Sequence, residues 1–343
     1  MFFPTKKTYI IAEVGANHNG DINIAKKMID EAKNCGADAV KFQSWDTKLF
    51  SKSVYKKNFF LDDDYRSRKD YDLKNIVKKF SLSKKQLFLL KNYCSKKKIQ
   101  FCTTPFSVEQ VKDLEDFKVP FIKIASMDIN NPRILKEAAL TNLDIILSTG
   151  FSSIAEISRA IEYIKKLGND KVTLLHCIGL YPPPKDTIIN LNNIKMLKTA
   201  FNVPVGFSDH TLGIEISLAS IALGANILEK HFTLDKKMFG WDHHMSCTPQ
   251  ELKMICKGRD RIFNALGSYE RIVGNLESKK KKEYRRSIIV ISSLKKGTVL
   301  TDKHIDFRRP GTGIEPFEWE KVKGRMLNKD LEEEHVLHYK DLT

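Results

Sequence analysis

The chain has 343 residues, of which 42% are hydrophobic and 29% are charged, and its formal net charge is +16. A chain of this length accommodates one large core and a smaller module. The proportions of hydrophobic and charged residues exclude a disordered chain. A membrane protein is excluded because no stretch approaches the roughly 18 apolar residues of a membrane helix. The positive charge is mainly lysine without interleaved aromatic residues, which is typical of a solvated surface rather than of a nucleic-acid site.

Eight short apolar runs alternate with amphipathic segments along the first part of the chain. The runs are too uniformly apolar to be half-exposed, which indicates parallel strands buried on both faces. The predicted strands are residues 8–14, 38–43, 99–103, 121–126, 144–148, 172–177, 204–208 and 226–231. The main predicted helices are residues 22–34, 84–97, 108–117, 153–167 and 212–223, with Ser83 and Ser153 as N-caps. Eight such units predict an α/β fold of the (β/α)₈ TIM-barrel type, and no G-x-G-x-x-G motif supports the alternative doubly wound sheet.

One connection, residues 44–81, is much longer than the others. Its composition combines aromatic and charged residues, which include Tyr55, Phe59, Phe60 and the acidic run 62–64. Loops of this length in compact domains commonly act as lids or binding loops, or contact a partner.

After Gly267 the alternation stops. The basic stretch 277–286 is typical of a linker, and short strands are predicted at 286–292, 298–300 and 305–308. We therefore expect a barrel domain over residues 1–275, a linker over 276–285 and a small, mostly β module over 286–343. The module is too small for a large core of its own, so we expect it to pack on its own barrel or on that of another subunit.

Polar side chains stand at the carboxyl end of nearly every predicted strand. In a parallel barrel these ends meet at one mouth, where active sites form, so convergence on one ligand explains the pattern economically. The polar residues are Glu13, Asn17, His18, Lys41, Gln43, Thr103, Thr104, Lys123, Ser126, Asp128, Ser148, His176, Tyr181, Ser208, Asp209, His210, Glu229 and His231.

Two of these residues, Lys41 and Lys123, lie inside apolar runs. Burying an ammonium group is costly unless the group is paired, so the lysines could form structural ion pairs with Glu13 or Asp128. Alternatively, they surround a phosphate or a carboxylate together with the nearby serines and threonines. The number of hydroxyl donors favours the anion site, and without a GxxxxGK[ST] motif no nucleotide is implied.

Two apolar runs end on a histidine, residues 204–210 on His210 and residues 226–231 on His231. Side by side, the two neutral imidazoles could share a divalent metal, with Glu13 as a third ligand or as a supporting partner. Mixed nitrogen and oxygen ligation suits Mn²⁺, Mg²⁺, Co²⁺ or Zn²⁺. We expect the nearby His243 and His244 to lie in a solvated loop.

Taken together, these segments resemble the sialic acid synthase family, whose bacterial members condense phosphoenolpyruvate with an N-acetylated sugar. The matching motifs are residues 11–20 (IAEVGANHNG), 40–43 (VKFQ), 103–106 (TTPF), 122–126 (IKIAS), 147–150 (LSTG), 180–182 (LYP), 206–211 (GFSDHT) and 228–233 (LEKHFT). Residues 305–313 resemble the family's C-terminal antifreeze-like (SAF, β-clip) domain. The motifs occur in the family's order along nearly the whole chain.

The resemblance implies roles for individual residues. It places the phosphoenolpyruvate site on Lys41, Thr104, Lys123, Ser126, Ser148 and Ser208. It places a metal on His210 and His231, with Glu13 in the catalytic centre, and implies Mn²⁺, with Mg²⁺ or Co²⁺ as alternatives. It places the acceptor sugar on Gln43, Asp128, Tyr181, Asp242 and Arg309, the last supplied across a domain-swapped homodimer. No nucleic acid or membrane partner is implied, and the six cysteines without a CxxC pair fit a cytoplasmic enzyme.

Three positions depart from an N-acetylneuraminate synthase pattern, and the resemblance implies that all three border the acceptor. Asp128 stands where glutamate is usual, Gly179 replaces a polar residue, and Trp241 stands where a small residue or proline is common. The acceptor is therefore either similar to N-acetylmannosamine or a 6-deoxy-diacetamido hexose, as in legionaminic or pseudaminic acid synthesis. A metal-dependent barrel isomerase or phosphoesterase would need more metal ligands. A non-catalytic carbohydrate- or nucleic-acid-binding protein would leave the polar strand ends unexplained.

Overall fold

A computed structural model describes residues 7–57, 72–184 and 189–343 of the chain. The chain divides into two compact units, Met1–Gly267 and Ser268–Thr343, each with a hydrophobic core of its own. Among the described residues no helix is both long and apolar enough to cross a membrane. All six cysteines are buried and unpaired, as the sequence predicts.

The first unit is built on one sheet of eight parallel strands. The strands are β1 (Tyr9–Gly15), β2 (Ala39–Gln43), β3 (Gln100–Thr104), β4 (Phe121–Ile124), β5 (Asp144–Ser148), β6 (Val172–Cys177), β7 (Val205–Asp209) and β8 (Ile227–His231). The order β3-β2-β1-β8-β7-β6-β5-β4 runs once around a ring, which confirms the predicted TIM-type barrel. The ring closes between β3 and β4, where the Cys102 thiol donates to the Phe121 carbonyl at 3.5 Å.

Helices follow the strands around the outside of the sheet. They are α1 (Ile22–Cys35), α2 (Lys52–Lys57), α3 (Leu73–Phe80), α4 (Lys84–Lys97), α5 (Val108–Phe117), α6 (Pro132–Leu140), α7 (Ile154–Lys166), α8 (Asn193–Phe201), α9 (Glu215–Ala222) and α10 (Pro249–Leu266). Ser83 and Ser153 begin α4 and α7 with capping boxes, as predicted, because each hydroxyl accepts from the third helical N–H.

Two predicted boundaries are wrong for local reasons. Strand β4 ends at Ile124 instead of continuing to Ser126, because the chain turns into a short 3₁₀ helix in which the Asp128 N–H donates to the Ala125 carbonyl at 3.0 Å. The predicted helix 212–223 begins only at Glu215, since the carboxylate of Glu215 accepts from the Ile214 N–H just before the first turn.

Side chains that point into the barrel form two layers of opposite character. The lower layer is apolar, and its members come from seven strands: Tyr9, Ile11, Ala39, Cys102, Phe121, Ile146, Leu175 and Ile227. Two residues after Ile11 on β1 and after the layer residues of β2, β3, β4, β5 and β8, the alternation of strand side chains brings charged and hydroxyl groups to the same interior. The barrel therefore has a sealed apolar base beneath a polar mouth.

The long connection after β2 packs partly over this mouth. Leu73, Ile76, Val77 and Phe80 of α3 form a buried cluster with Ala16, and Trp45, Phe50 and Tyr55 pack against that cluster. Phe59, Phe60 and the acidic run 62–64, which the sequence analysis singled out, lie outside the described residues.

The second unit contains an antiparallel pair, β9 (Ser287–Val290) with β10 (Ile305–Arg308), and the helices α11 (Asn275–Tyr284) and α12 (Trp319–Val322). Ile288, Val290, Leu300, Trp319 and Leu337 are among its core residues. The predicted strand 298–300 is wrong, since only a single bridge from Val299 to Met326 forms there. The stretch predicted as a linker, 276–285, carries α11.

Candidate active site

A cavity of about 900 Å³ opens at the carboxyl ends of the strands. Twelve residues predicted as site residues line it: Glu13, Lys41, Gln43, Thr104, Lys123, Ser126, Ser148, Tyr181, Ser208, His210, His231 and Asp242. The members on β1, β2, β3, β4, β5 and β8 point inward because each lies an even number of residues from a side chain of the apolar layer below. The structure thus brings nearly all of the predicted site into one cavity.

Lys41 and Glu13 form the first ion pair of the cavity floor. Their strands are register neighbours, and the Lys41 Nζ lies 2.7 Å from Glu13 Oε2 and donates to Thr104 Oγ1 at 2.8 Å. Burial alone would lower the pKa of Lys41, but Glu13 and Glu229 raise it above the ordinary value. The structural ion pair considered for Lys41 therefore exists, and it lies inside the cavity.

Lys123 occupies the opposite side of the floor. Its Nζ donates to Ser148 Oγ at 2.7 Å and lies 3.7 Å from Glu229 Oε1, which also accepts from Ser208 Oγ at 2.9 Å. Burial lowers the pKa of Lys123. The second carboxylate oxygen of Glu229 lies 3.6 Å from Lys41 Nζ, so Glu229 bridges the two lysines.

Glu13 is the titratable group of this floor that is placed to change charge near neutral pH. Burial raises its pKa to about 7, and Glu229 adds to the rise while Lys41 opposes it. Gln43 Nε2 donates to the other carboxylate oxygen of Glu13 at 3.1 Å and fixes its orientation. When Glu13 binds a proton, the two lysines exceed the remaining carboxylate by one charge, and the floor then suits an anion.

The two strand-end histidines lie side by side, with 5.4 Å between their ring centroids. The Ile178 carbonyl accepts from His210 Nδ1 at 2.8 Å, which leaves Nε2 with its lone pair. His231 Nδ1 is buried, makes no hydrogen bond within the described residues, and lies 3.7 Å from an Asp242 carboxylate oxygen. Burial lowers the pKa of both imidazoles, so both are neutral at neutral pH.

This donor set fits a divalent metal, because neutral imidazoles with an orphaned ring nitrogen and a nearby carboxylate are typical ligands. The described residues contain no ready-made cluster of three or more histidine, cysteine, aspartate or glutamate ligands. A cation held here would therefore depend on His210 and His231 for its protein nitrogen ligands and on further oxygen ligands from substrate or solvent.

Above the polar floor, the wall of the cavity is aromatic and apolar. Tyr181 stacks on the His210 ring with centroids 4.0 Å apart, and Trp241 meets Trp45 edge to face at 5.2 Å. Phe151 and Met127 also line the cavity and are 74% and 60% exposed. An elongated ligand would meet charge at its lower end and apolar surface along its upper part.

Two predicted sugar contacts do not line this cavity. Asp128 is half-buried in the 3₁₀ turn after β4, where it accepts from Asn131 Nδ2 at 3.1 Å, and burial raises its pKa. Arg309 belongs to the second unit, where its guanidinium lies 5.3 Å from the Tyr284 ring centroid and donates to the Tyr284 carbonyl.

Other polar residues at the strand ends point away from the cavity. Thr103 shares a hydrogen bond with Ser44, and the Ile189 carbonyl accepts from His176. Asp209 pairs with Lys230 behind the sheet at 2.8 Å. The expectation of a solvated loop is wrong for His243, which is buried and bonded to Thr233 Oγ1 at 2.7 Å.

The sequence analysis left several lining residues out of the predicted site. Glu229 stood among the polar strand ends but was given no role, and its signal was its position two residues before His231. The wall residues Trp45, Phe106, Met127 and Phe151 follow strand ends in loops, and an aromatic residue in a loop carries no distinguishing pattern.

Comparison with known proteins shows which family the chain belongs to. A model of the NeuB family matches residues 28–271, and a model of the SAF domain matches residues 285–343. The N,N'-diacetyllegionaminic acid synthase of Campylobacter jejuni is 40% identical over 97% of this chain and 99% of its own length. The enzyme of the same name from Legionella pneumophila is 36% identical over 94% of this chain and 91% of its own length.

A solved structure also resembles the chain. The N-acetylneuraminic acid (sialic acid) synthetase of Leptospira borgpetersenii aligns with a TM-score of 0.70 and 37% identity, over 80% of this chain and 90% of that protein. The similarity thus extends from the motifs to the three-dimensional arrangement of the barrel.

Proposed function

Because this chain belongs to the NeuB family and ends in a SAF domain, we propose that it condenses phosphoenolpyruvate with an N-acetylated amino sugar, giving a nonulosonic (sialic-type) acid and phosphate. The observation that carries the proposal is one cavity with two lysines and several hydroxyls at its floor and two neutral histidines beside them. A phosphate and a carboxylate suit the floor, and a sugar suits the wall.

The residues of the floor hold and orient the smaller substrate. Lys41 with Thr104 and Lys123 with Ser148 supply convergent donors for the phosphate and carboxylate, which provides orientation and charge stabilisation. C3 of phosphoenolpyruvate then bonds to the aldehyde carbon of the open-chain sugar. Water adds to C2, and phosphate leaves as the C2–O bond breaks.

Glu13 is the group that we assign to proton transfer in this sequence. Its pKa of about 7 allows the carboxylate to accept a proton from the attacking water and the carboxylic acid to donate one. Gln43 and Lys41 hold the two oxygens of Glu13 in place. A divalent cation on His210 and His231, in our proposal Mn²⁺, would polarise the aldehyde oxygen of the sugar.

A 6-deoxy-diacetamido hexose is a second candidate acceptor beside N-acetylmannosamine. The apolar wall formed by Trp45, Trp241, Phe151 and Met127 favours methyl groups over hydroxyls. The Campylobacter jejuni relative named N,N'-diacetyllegionaminic acid synthase aligns with almost the whole chain and supports this choice.

The proposal is tested by measuring phosphate release from phosphoenolpyruvate. We expect release only when a suitable amino sugar and Mn²⁺ are both present, and we expect chelation to abolish it. N-acetylmannosamine and its 6-deoxy-diacetamido relative are compared at equal concentration. Release without any sugar, or none with either sugar, contradicts the proposed function.

Metal-site variants provide the control for this experiment. His210→Ala and His231→Ala are each expected to weaken Mn²⁺ binding in a titration of the purified protein. His176→Ala is the matched variant, because His176 is the last residue but one of β6 and points away from the cavity. Unchanged affinity in both site variants removes the pair from the metal site.

We also propose that the protein is a homodimer in which the second unit of one chain serves the barrel of the other. The family resemblance supports this proposal, the Arg309 side chain is exposed, and the second unit is compact in its own right. Light scattering of the purified protein is expected to give twice the chain mass of 39.4 kDa. A monomeric mass contradicts the exchange.

A further inference from the structure

One aromatic residue of the cavity wall is held in a strained backbone conformation. Phe151 has a φ of 61°, in the left-handed region that bulky side chains seldom adopt. It is the third residue of a turn closed by the Ser152 N–H, which donates to the Thr149 carbonyl at 3.3 Å. Such a conformation costs about 1–3 kcal/mol and is found mainly at functional sites. Because the Phe151 side chain is 74% exposed, burial in a core does not explain the strain.

The Phe151 ring occupies the space in which a side chain at position 179 would lie. A Cβ added to Gly179 would overlap the Cζ, Cε1 and Cε2 atoms of the ring. The φ of Gly179 is outside the left-handed region, so the backbone does not require glycine at this position. The atoms in the way belong to the far end of the exposed Phe151 side chain, so a side chain at position 179 would displace the ring from its observed place on the wall.

The pair gives this part of the wall an apolar surface. Phe151 and Gly179 line the cavity together with Met127 and Tyr181, and the turn is tied to the floor by the Gly150 N–H, which donates to Ser126 Oγ at 3.0 Å. A hydroxyl placed against such a surface loses its hydration without gaining a partner, whereas a methyl group gains contact.

We propose that Phe151 and Gly179 together determine acceptor specificity, favouring an amino sugar that presents a methyl group at this wall over one that presents a hydroxyl. The inference rests on the proposed function, because it assigns a wall to the acceptor of that reaction. The ring selects for the apolar substituent, and the glycine makes room for the ring.

The test compares kcat/KM for the 6-deoxy-diacetamido sugar and for N-acetylmannosamine in wild type, Phe151→Gly and Phe151→Gly/Gly179→Ser. We expect the ratio of the two constants to fall by about 10- to 100-fold in the double variant, because the apolar contact is lost and a hydroxyl is supplied. Gly179→Ser alone is expected to lower the ratio as well, because its side chain would displace the Phe151 ring from the wall.

Thermal unfolding distinguishes a role of Phe151 in specificity from a role in the stability of the fold. Phe151→Gly removes the strain, so its melting temperature should equal or exceed that of wild type while the ratio falls. Phe88→Ala, which truncates an exposed ring on α4, and Gly274→Ser, which adds a side chain in open space, are the matched controls. An unchanged ratio in active variants overturns this inference alone. Inactivity of the wild type with both sugars overturns the proposed function and this inference with it.

Discussion

Glu229 determines the charge balance of the cavity. It is buried, lies between the two lysine ammonium groups, and is within 3.6 Å of Lys41 and 3.7 Å of Lys123. Burying a charged lysine in a low-dielectric interior costs free energy unless a carboxylate such as Glu229 lies beside it. Burial would raise the pKa of Glu229, but Lys123, Lys41 and the Ser208 hydroxyl together lower it, so the carboxylate stays charged near neutral pH.

We predict that Glu229→Gln destabilises the ligand-free protein by about 3–5 kcal/mol, because two buried ammonium groups lose their shared counterion. Phosphoenolpyruvate should then raise the melting temperature more than in wild type, since an anion would replace the missing charge. Glu115→Gln, which changes an exposed residue of α5, is the control. Equal ligand-induced shifts in variant and wild type would contradict this role.

For single residues, the sequence predicted which side chains at the barrel mouth are polar but not which of them pair with each other. Because side chains alternate along a strand, counting residues predicts which ones point into the barrel. This places Thr104 inside the barrel and Thr103 on the other face of the sheet. The bridge from Glu229 to both lysines requires the register between strands, and no spacing in the chain encodes that register.

Strands β7 and β8 are joined behind the sheet by a second buried ion pair. Asp209 and Lys230 are register partners, and the Lys230 Nζ donates to Asp209 Oδ2 and to the Thr211 carbonyl, each at 2.8 Å. The Ser217 hydroxyl of α9 donates to the same carboxylate. His210 directly follows Asp209 and His231 directly follows Lys230, so the ion pair fixes the strand ends beside the two histidines.

We predict that Lys230→Met destabilises the barrel by about 3–5 kcal/mol, because Asp209 is left as an uncompensated buried charge. Asp209→Asn in the Lys230→Met background should recover much of that loss. Chemical denaturation of the two single variants and the double variant gives the coupling free energy. Strictly additive effects would show that the two side chains act independently, and unchanged Mn²⁺ affinity in folded Lys230→Met would show that they do not position the histidines.

The regular elements were the most predictable part of the fold. Strands β5 and β6 and helices α4 and α5 have the predicted bounds, since long runs of consistent period leave little choice. The errors occurred where a local hydrogen bond ended an element, as at Ile124, or where an isolated bridge took the place of a strand, as at Val299.

The molecule has two units that can respond separately to pH. In the second unit, the buried Asp341 carboxylate lies 2.7 Å from Lys329 Nζ and 2.9 Å from His335 Nε2, and it accepts from the His338 N–H at 2.9 Å. Burial would raise its pKa, but these partners lower it to about 2. Because the folded pKa is below the ordinary value of 3.8, the stabilisation is fully present above that value and is lost as the pH falls towards 2.

We predict that Asp341→Asn destabilises the second unit by about 2 kcal/mol at pH 7 and removes its acid sensitivity between pH 4 and pH 2. Unfolding is followed by the fluorescence of Trp319 in a Trp45→Phe/Trp241→Phe background, where it is the single tryptophan. Asp330→Asn, which breaks an exposed pair with Lys295, should have a much smaller effect. An unaltered acid transition in Asp341→Asn would exclude this carboxylate as the cause.

At the scale of the whole chain, the sequence predicted a barrel followed by a small β-rich module. It could not predict that the module holds a buried acidic centre, because Asp341 lies twelve residues from Lys329 and only the fold brings them together. The stretch after Gly267 looked like a linker because its residues are basic and polar, and the same composition also forms the exposed helix α11.

The six buried thiols have a practical consequence. All of them lie before Gly267, on α1, α4, β3, β6, α10 and the loop after β8, and the second unit has none. Burial raises the pKa of Cys102, Cys247 and Cys256 to about 12, so these thiols remain protonated and shielded while the barrel is closed. Pulsed alkylation followed by mass spectrometry would therefore time the opening of the barrel segment by segment, against a second unit that stays unlabelled throughout.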